Sequence, residues 1–151
     1  MTTIYLAGPW HRKDDVRLAR AQFRDAGIRV LADWIDHHNG SHTAAELQAE
    51  AFRDLMQIDE ADALVVLQLE KSEGKSAELM FAYCNYRITS FPAANRRPII
   101  VVGEHDLANP VNVFHYLPGI LRVHTIEEAI HALREDRPSQ RLVTTVAHDA
   151  R

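Results

Sequence analysis

The sequence predicts an α/β protein: a doubly wound, flavodoxin- or Rossmann-like, five-stranded mostly parallel sheet with helices on both faces. Three observations predict it. Strand-like and helix-like segments alternate about five times along the chain. The strand-like segments are short continuous apolar runs, Ala63–Leu69 (ALVVLQL) the clearest, as suits strands covered on both faces. The helix-like segments carry their own start and stop signals.

Thr3–Ala7 is an apolar run closed by Gly8-Pro9, a strand followed by a turn. From Asp14 to Ala26, Val16, Ala19, Phe23 and Ala26 recur at helical spacing, and Gly27 supplies the stop. Ile28–Ala32 is the second strand, and the polar stretch Asp33–His42, with Asn39-Gly40 inside it, is a loop. Thr43 and Glu46 have capping-box spacing and open a helix to about Glu60, with Leu47, Leu55 and Ile58 inward. Ala63–Leu69 is the third strand, Glu70–Lys75 a turn and Ser76–Ile88 a helix. Thr89–Arg97 connects to a fourth strand, Pro98–Val102, and Leu121–His124 is a short fifth. Thr125 and Glu128 repeat the capping spacing before the helix Ile126–Arg134. Residues 1–135 thus form one domain, and 136–151 a tail in which Leu142–Val146 can pair at a sheet edge.

Composition narrows the function. In 151 residues, 46% hydrophobic, 21 acidic side chains outnumber 17 basic ones for a net charge of −4. That is material for one core, with no basic stripe to neutralise a nucleic-acid polymer. Cys84 is the single cysteine, which excludes an internal disulfide and a multi-cysteine zinc site. No apolar run approaches the roughly 18 residues that span a bilayer, and the N-terminus has no signal-type pattern. The expectation is a cytoplasmic protein with no membrane partner.

In open parallel sheets ligands bind beyond the carboxyl ends of the strands. The loops there are 8–13, 33–42, 70–78 and 103–114. Ser72-Glu73-Gly74-Lys75-Ser76-Ala77-Glu78 follows the best strand, so its backbone N–H groups face the crevice. Gly74 permits a close approach, and the Ser72 hydroxyl can donate to a sugar or phosphate oxygen. Glu78, placed in the first helical turn, would be held ionised by the macrodipole and could attack an electrophilic sugar carbon. A lone glutamate in such a place is more often a surface residue. Gly74-Lys75-Ser76 matches the end of a P-loop, but Leu69 stands where that motif needs glycine, so an NTPase is rejected.

Tyr5 inside the first strand can orient a carboxylate, and Trp10 just beyond it can stack on a planar ring; taken alone, each reads better as packing. Asp54, Asp59 and Asp62 read as helix-surface charges or a helix stop. Nine histidines invite a metal search at Asp33, Asp36, His37, His38 and His42, but their spacing fits no standard pattern, and no metal or other cofactor is expected. His115 and Tyr116 before Pro118-Gly119 can line the crevice, although packing suffices to explain them.

Taken together, Tyr5-Leu6-Ala7-Gly8-Pro9 after a first strand, Asp54 on a helix before Ala61-Asp62-Ala63, and Ser72-x-Gly74-x-x-x-Glu78 resemble the nucleoside 2-deoxyribosyltransferase family. That family includes deoxynucleoside 5′-monophosphate N-glycosidases and cytidylate N-glycosidases. The resemblance covers roughly residues 3–134 in the same element order. It implies that Glu78 attacks the anomeric carbon, that Tyr5 positions it, and that Asp54 exchanges a proton with the base. It further implies Trp10 at the base, with Gly8, Ser72 and Gly74 around the substrate. Asn112 resembles an asparagine inserted into a neighbouring subunit's site, which implies a homodimer or higher homo-oligomer. Ser72 stands where transferases acting on free nucleosides have an aspartate for the 5′-hydroxyl, and so points to a 5′-monophosphate. Asn112 is the transferase-type residue, Pro9 stands where the glycosidases have a serine, and Arg96-Arg97 can add phosphate contacts.

The leading expectation is therefore an enzyme that cleaves the N-glycosidic bond of a (deoxy)nucleoside or its 5′-monophosphate through a glutamyl-ribosyl ester. The sugar passes to another nucleobase or to water. A pure nucleotide hydrolase and a non-catalytic nucleotide-binding module are the alternatives, with a metal-dependent hydrolase on the histidine loop a weaker third.

Overall fold

The computed structural model describes residues 1–37, 42–88, 96–108 and 111–135. In chain order these contain β1 (Thr3–Ala7), α1 (Lys13–Asp25), β2 (Arg29–Leu31), α2 (Ala44–Glu60), β3 (Ala63–Leu67), α3 (Glu73–Tyr83), β4 (Ile99–Val102), β5 (Ile120–Val123) and α4 (Ile126–Glu135). Short 3-10 turns lie at Trp10–Arg12, Asp33–Asp36 and Val113–Tyr116. The expected tail at 136–151 and the edge pairing at Leu142–Val146 lie outside the described residues.

The five strands form one sheet in the order β2-β1-β3-β4-β5. Every pairing among the described residues is parallel, in keeping with the expected sheet. Every strand-to-strand link must then cross over the sheet, so helices accumulate on both faces. α1 packs against α4 on one face and α2 against α3 on the other, a doubly wound α/β fold. β3 and β4 are buried along their whole length, as continuous apolar runs require, whereas β5 buries only its two ends and forms an edge.

Strand order decides where a ligand can sit. The chain leaves β1 for β2 on one side and then crosses to β3 on the other. The crossovers that diverge from β1 and β3 open a crevice between those strands. Gly8 tightens the exit from β1, because a Cβ there would lie 2.6 Å from Cγ2 of Val16 on α1.

Three expectations need correction. α3 begins at Glu73, not Ser76: Ser72 is its N-cap, accepting the Lys75 N–H on Oγ at 3.5 Å and the Ser76 N–H on its carbonyl at 3.3 Å. Gly74 disguised that first turn as a loop. The helix then widens into a π-type turn over Cys84–Ile88. Second, Thr43 and Glu46 do form the capping box, but Leu47 is 51% exposed. The first turns of α2 are exposed; burial starts at Glu50, Asp54 and Leu55 and is complete only at Ile58. Third, the start of the expected 33–42 loop is a 3-10 turn that buries Trp34 and Ile35.

Arg97 does not face a phosphate. It donates to the Ala61 carbonyl at 3.1 Å and lies 4.9 Å over the Tyr86 ring, and the Tyr86 hydroxyl donates to the Ile58 carbonyl. Together they pin the end of α2 to the sheet. No described helix is long and apolar enough to cross a membrane.

Candidate active site

Three of the sequence-selected residues converge at the crevice between β1 and β3. Tyr5 sits mid-strand opposite Leu64 of β3 and is fully buried. Its hydroxyl donates to Oε1 of Glu78 on α3 at 2.6 Å. Asp54, on the part of α2 that reaches the sheet, bears on the same hydroxyl. One phenol therefore stands between two carboxyl groups brought in by two different helices.

The electrostatics differ from the expectation for Glu78. With α3 starting at Glu73, Glu78 is not in the first turn, and the helix N-terminus no longer holds it ionised. Burial dominates and pushes its carboxyl up to about 8; the Tyr5 hydrogen bond pulls down, Asp54 pushes up, and Lys75 pulls down. Burial likewise pushes Asp54 up to about 6, against the Tyr5 hydrogen bond and the pull of His37. Burial and the two carboxylates drive the Tyr5 hydroxyl far above its ordinary range, so it keeps its proton. At neutral pH the pair holds one proton, on Glu78 rather than Asp54.

A polar wall flanks Asp54. His37 Nδ1 lies 3.2 Å from Glu50, one helical turn before Asp54, and the Arg53 guanidinium lies 3.2 Å from His37 Nε2. His42 is 4.0 Å from the same Glu50 oxygen. Asp36 pairs with Arg20 and Asp33 with Gln57, while His38 lies outside the described residues. Among the described residues no three metal-ligating side chains converge.

Trp10 is engaged inside the chain. It leans on Trp34, with ring centroids 6.2 Å apart, and the Lys13 ammonium lies 3.5 Å over its ring. It remains 40% exposed.

The residues expected at the sugar end assemble on the other flank of α3. A cavity of about 510 Å³ is lined by the Glu70–Glu73 turn, Lys75, Ser76, Val111, Asn112, Val113 and His115, and by none of Tyr5, Asp54 or Glu78. Asn112 donates to Ser76 Oγ at 2.9 Å. Ser76 and Glu78 are two residues apart on a helix and so face opposite ways. Asn112 is thus held away from its own Glu78. Gly74 leaves the first turn open: a Cβ there would come no closer than 3.9 Å to Ser72 Oγ.

Sequence reasoning missed Lys75 and Gln68, and left His115 between lining the crevice and packing. The Lys75 ammonium is buried and donates to the carbonyls of Leu67, at 3.1 Å, and Glu70, tying the end of β3 to the first turn of α3. Burial lowers it to about 8. A lysine in a polar turn carries no sequence mark of burial. His115 is 2% exposed and Gln68 accepts from its Nδ1 at 2.8 Å; the only available sign was a histidine just before Pro118-Gly119. Compared with protein-family models and with curated proteins, the sequence gives no match.

Proposed function

We propose that the chain cleaves the N-glycosidic bond of a (deoxy)nucleoside 5′-monophosphate, or of the parent nucleoside, through a glutamyl-ribosyl ester. The observation that carries this reading is the 2.6 Å bond from Tyr5 to Glu78 with Asp54 at the same hydroxyl. A paired carboxyl system at a strand crevice is what breaking a C–N glycosidic bond needs. One carboxylate traps the developing positive charge on the sugar, and one carboxylic acid protonates the departing base.

The raised Glu78 puts the resting proton on the wrong partner for that chemistry, and Tyr5 offers the remedy. Once the phenol turns its O–H from Glu78 to Asp54, Glu78 can pass its proton to the phenol oxygen as the phenol passes its own to Asp54. Each proton moves across one hydrogen bond, leaving Glu78 ionised and Asp54 protonated. Glu78 then bonds to C1′ as the C1′–N bond breaks, and the Asp54 proton goes to the base nitrogen. An incoming base or water attacks C1′, releases Glu78 and returns a proton to Asp54. No metal or cofactor enters any step.

Ser72 and the open first turn of α3 support a 5′-phosphate, since an acid in place of Ser72 would repel it. A second copy of the chain is part of the proposal. Asn112 faces away from its own Glu78, and Leu47, Phe52 and Met56 leave α2 with apolar surface at 51%, 66% and 54% exposure.

Incubation with 5′-monophosphates, and separately with deoxynucleosides plus a free base, tests the reading by chromatography of released and exchanged base. Activity in either set that is lost in Glu78→Gln supports it. Absence of base release in both sets, or full activity in Glu78→Gln, overturns it.

A further inference from the structure

Arg53 precedes Asp54 on α2, and a terminal nitrogen of its guanidinium lies 3.2 Å from Nε2 of His37. A guanidinium only donates, so Nε2 accepts and His37 carries its hydrogen on Nδ1. That nitrogen stands 3.2 Å from Oε1 of Glu50. The segment that carries His37 is clamped from both sides. From α1, Lys13 donates to the His37 carbonyl at 2.7 Å, Arg17 to the Ile35 carbonyl at 2.9 Å, and Arg20 grips both carboxylate oxygens of Asp36. From α2, Gln57 donates to Asp33 at 2.6 Å. His37 is therefore a fixed acceptor, and it fixes Arg53.

The charges of this cluster do not cancel evenly. Glu50 is taken up by His37 and, at 4.0 Å, by His42. Among the described residues Arg12, Arg17, Arg20 and Arg29 have carboxylate partners, and Arg53 has none. Residues 38–41, His-Asn-Gly-Ser, contain no acid that could supply one. Burial raises the Asp54 carboxyl; the Tyr5 bond and His37 pull it down, Glu50 pushes it up, and Arg53 pulls it down. The guanidinium is thus within electrostatic reach of the acid assigned to the departing base. The same rim continues to the aromatic expected at the base, since His42 stands edge-on to Trp10 with ring centroids 6.4 Å apart.

We infer that Arg53 selects a base with a carbonyl oxygen beside the ring nitrogen that Asp54 protonates, which among purines is a 6-oxopurine. The inference rests on the glycosidic reading above and deepens it by naming the base. On the edge that carries N7, guanine presents a second acceptor, O6, whereas adenine presents an N–H2 donor. As the C1′–N9 bond breaks, its electron pair stays with the base and the Asp54 proton goes to N7. The guanidinium then donates to O6, where the base gathers negative charge. An amino group in that place offers the cation only hydrogens.

The experiment measures kcat/KM for the deoxynucleosides of hypoxanthine, guanine, adenine and 2,6-diaminopurine, each free and as the 5′-monophosphate, with the thymine compounds alongside. Hypoxanthine against adenine, and guanine against 2,6-diaminopurine, are two pairs that differ at the 6-position. In wild type the 6-oxo member of each pair should be favoured at least about tenfold. In Arg53→Met each ratio should fall close to one. The intrinsic lability of the bond, and any change in Asp54, act alike in both proteins or on both members of a pair, so the change in ratio reports Arg53. Should the variant fail to fold, the wild-type ratios decide alone. Wild-type ratios near or below one, ratios unchanged in Arg53→Met, or cleavage of the thymine compounds alone overturn the inference, and in each case the released base leaves the glycosidic reading standing. If wild type cleaves nothing, that reading falls, and binding of the same compounds decides the inference. Binding selective for 6-oxopurines that Arg53→Met loses upholds it, and binding without that selectivity, or none, overturns it.

Discussion

Tyr5 and Glu78 lie 73 residues apart in sequence and share a 2.6 Å hydrogen bond across the junction of β1 and α3. The bond joins a phenol that keeps its proton to a carboxyl that burial has made weakly acidic. Its consequences for rate, stability and assembly can each be measured.

The productive form holds one proton between Glu78 and Asp54. Below about 6 both carboxyls are protonated, and above about 8 neither is. A profile of kcat/KM against pH should therefore be a bell with limbs near those values. Tyr5→Phe removes a hydrogen bond that lowers both carboxyls, so both limbs should move to higher pH and kcat should fall by about 10- to 100-fold. A monotonic profile in wild type, or unshifted limbs in Tyr5→Phe, would contradict the shared proton.

Glu78 should cost the protein stability. Its folded value of about 8 lies above the ordinary 4.5, so between those values the folded state keeps a proton that the unfolded chain releases. Stability is then full below about 4.5 and declines as pH rises toward about 8. Glu78→Gln removes the ionisation, and at pH 8 it should raise stability by at least about 1 kcal/mol while abolishing turnover. Thermal melts at pH 5 and pH 8 check this: the variant should gain at pH 8 and little at pH 5.

Gly8→Ala should destabilise without touching the carboxyls. The new methyl meets Val16 at 2.6 Å, and a β-branched side chain on a helix has little rotamer freedom to yield. A loss of about 1–3 kcal/mol is expected, read as a lower denaturation midpoint with an unchanged slope.

Shared sites predict complementation. Glu78→Gln and Asn112→Ala should each be poorly active alone. Co-refolded in equal amounts, they should recover activity at the sites that receive Asn112 from one copy and Glu78 from the other. Mixtures no more active than the mean of the separate variants would mean that each chain works alone.

The central sheet was legible because β1, β3 and β4 are uninterrupted apolar runs, and a parallel strand buried on both faces needs that pattern. The capping box of α2 was legible because both of its partners are local in sequence. The start of α3 was hidden by a glycine in its second position, which local propensity reads as loop. Leu47 was assigned inward because periodicity describes a helix and not what lies opposite it. The partners of Trp10 were not legible, because nothing in the sequence brings Lys13 and Trp34 to its ring. The meeting of Tyr5, Asp54 and Glu78 came only through the resemblance, since no spacing rule spans 73 residues. Lys75 and His115 were illegible for a plainer reason: a polar residue shows its burial only through partners supplied by distant segments.

Because β1 is an inner strand, it waits for β2 on one side and β3 on the other. Tyr5, Asp54 and Glu78 all belong to the first 78 residues, whereas the wall bearing Asn112 and His115 is added after β4. During synthesis the two acids can therefore be enclosed while the far side of α3 is still bare. A fragment ending at the π-type turn would test this directly, since it carries Tyr5, Asp54 and Glu78 with none of the wall that bears Asn112 and His115.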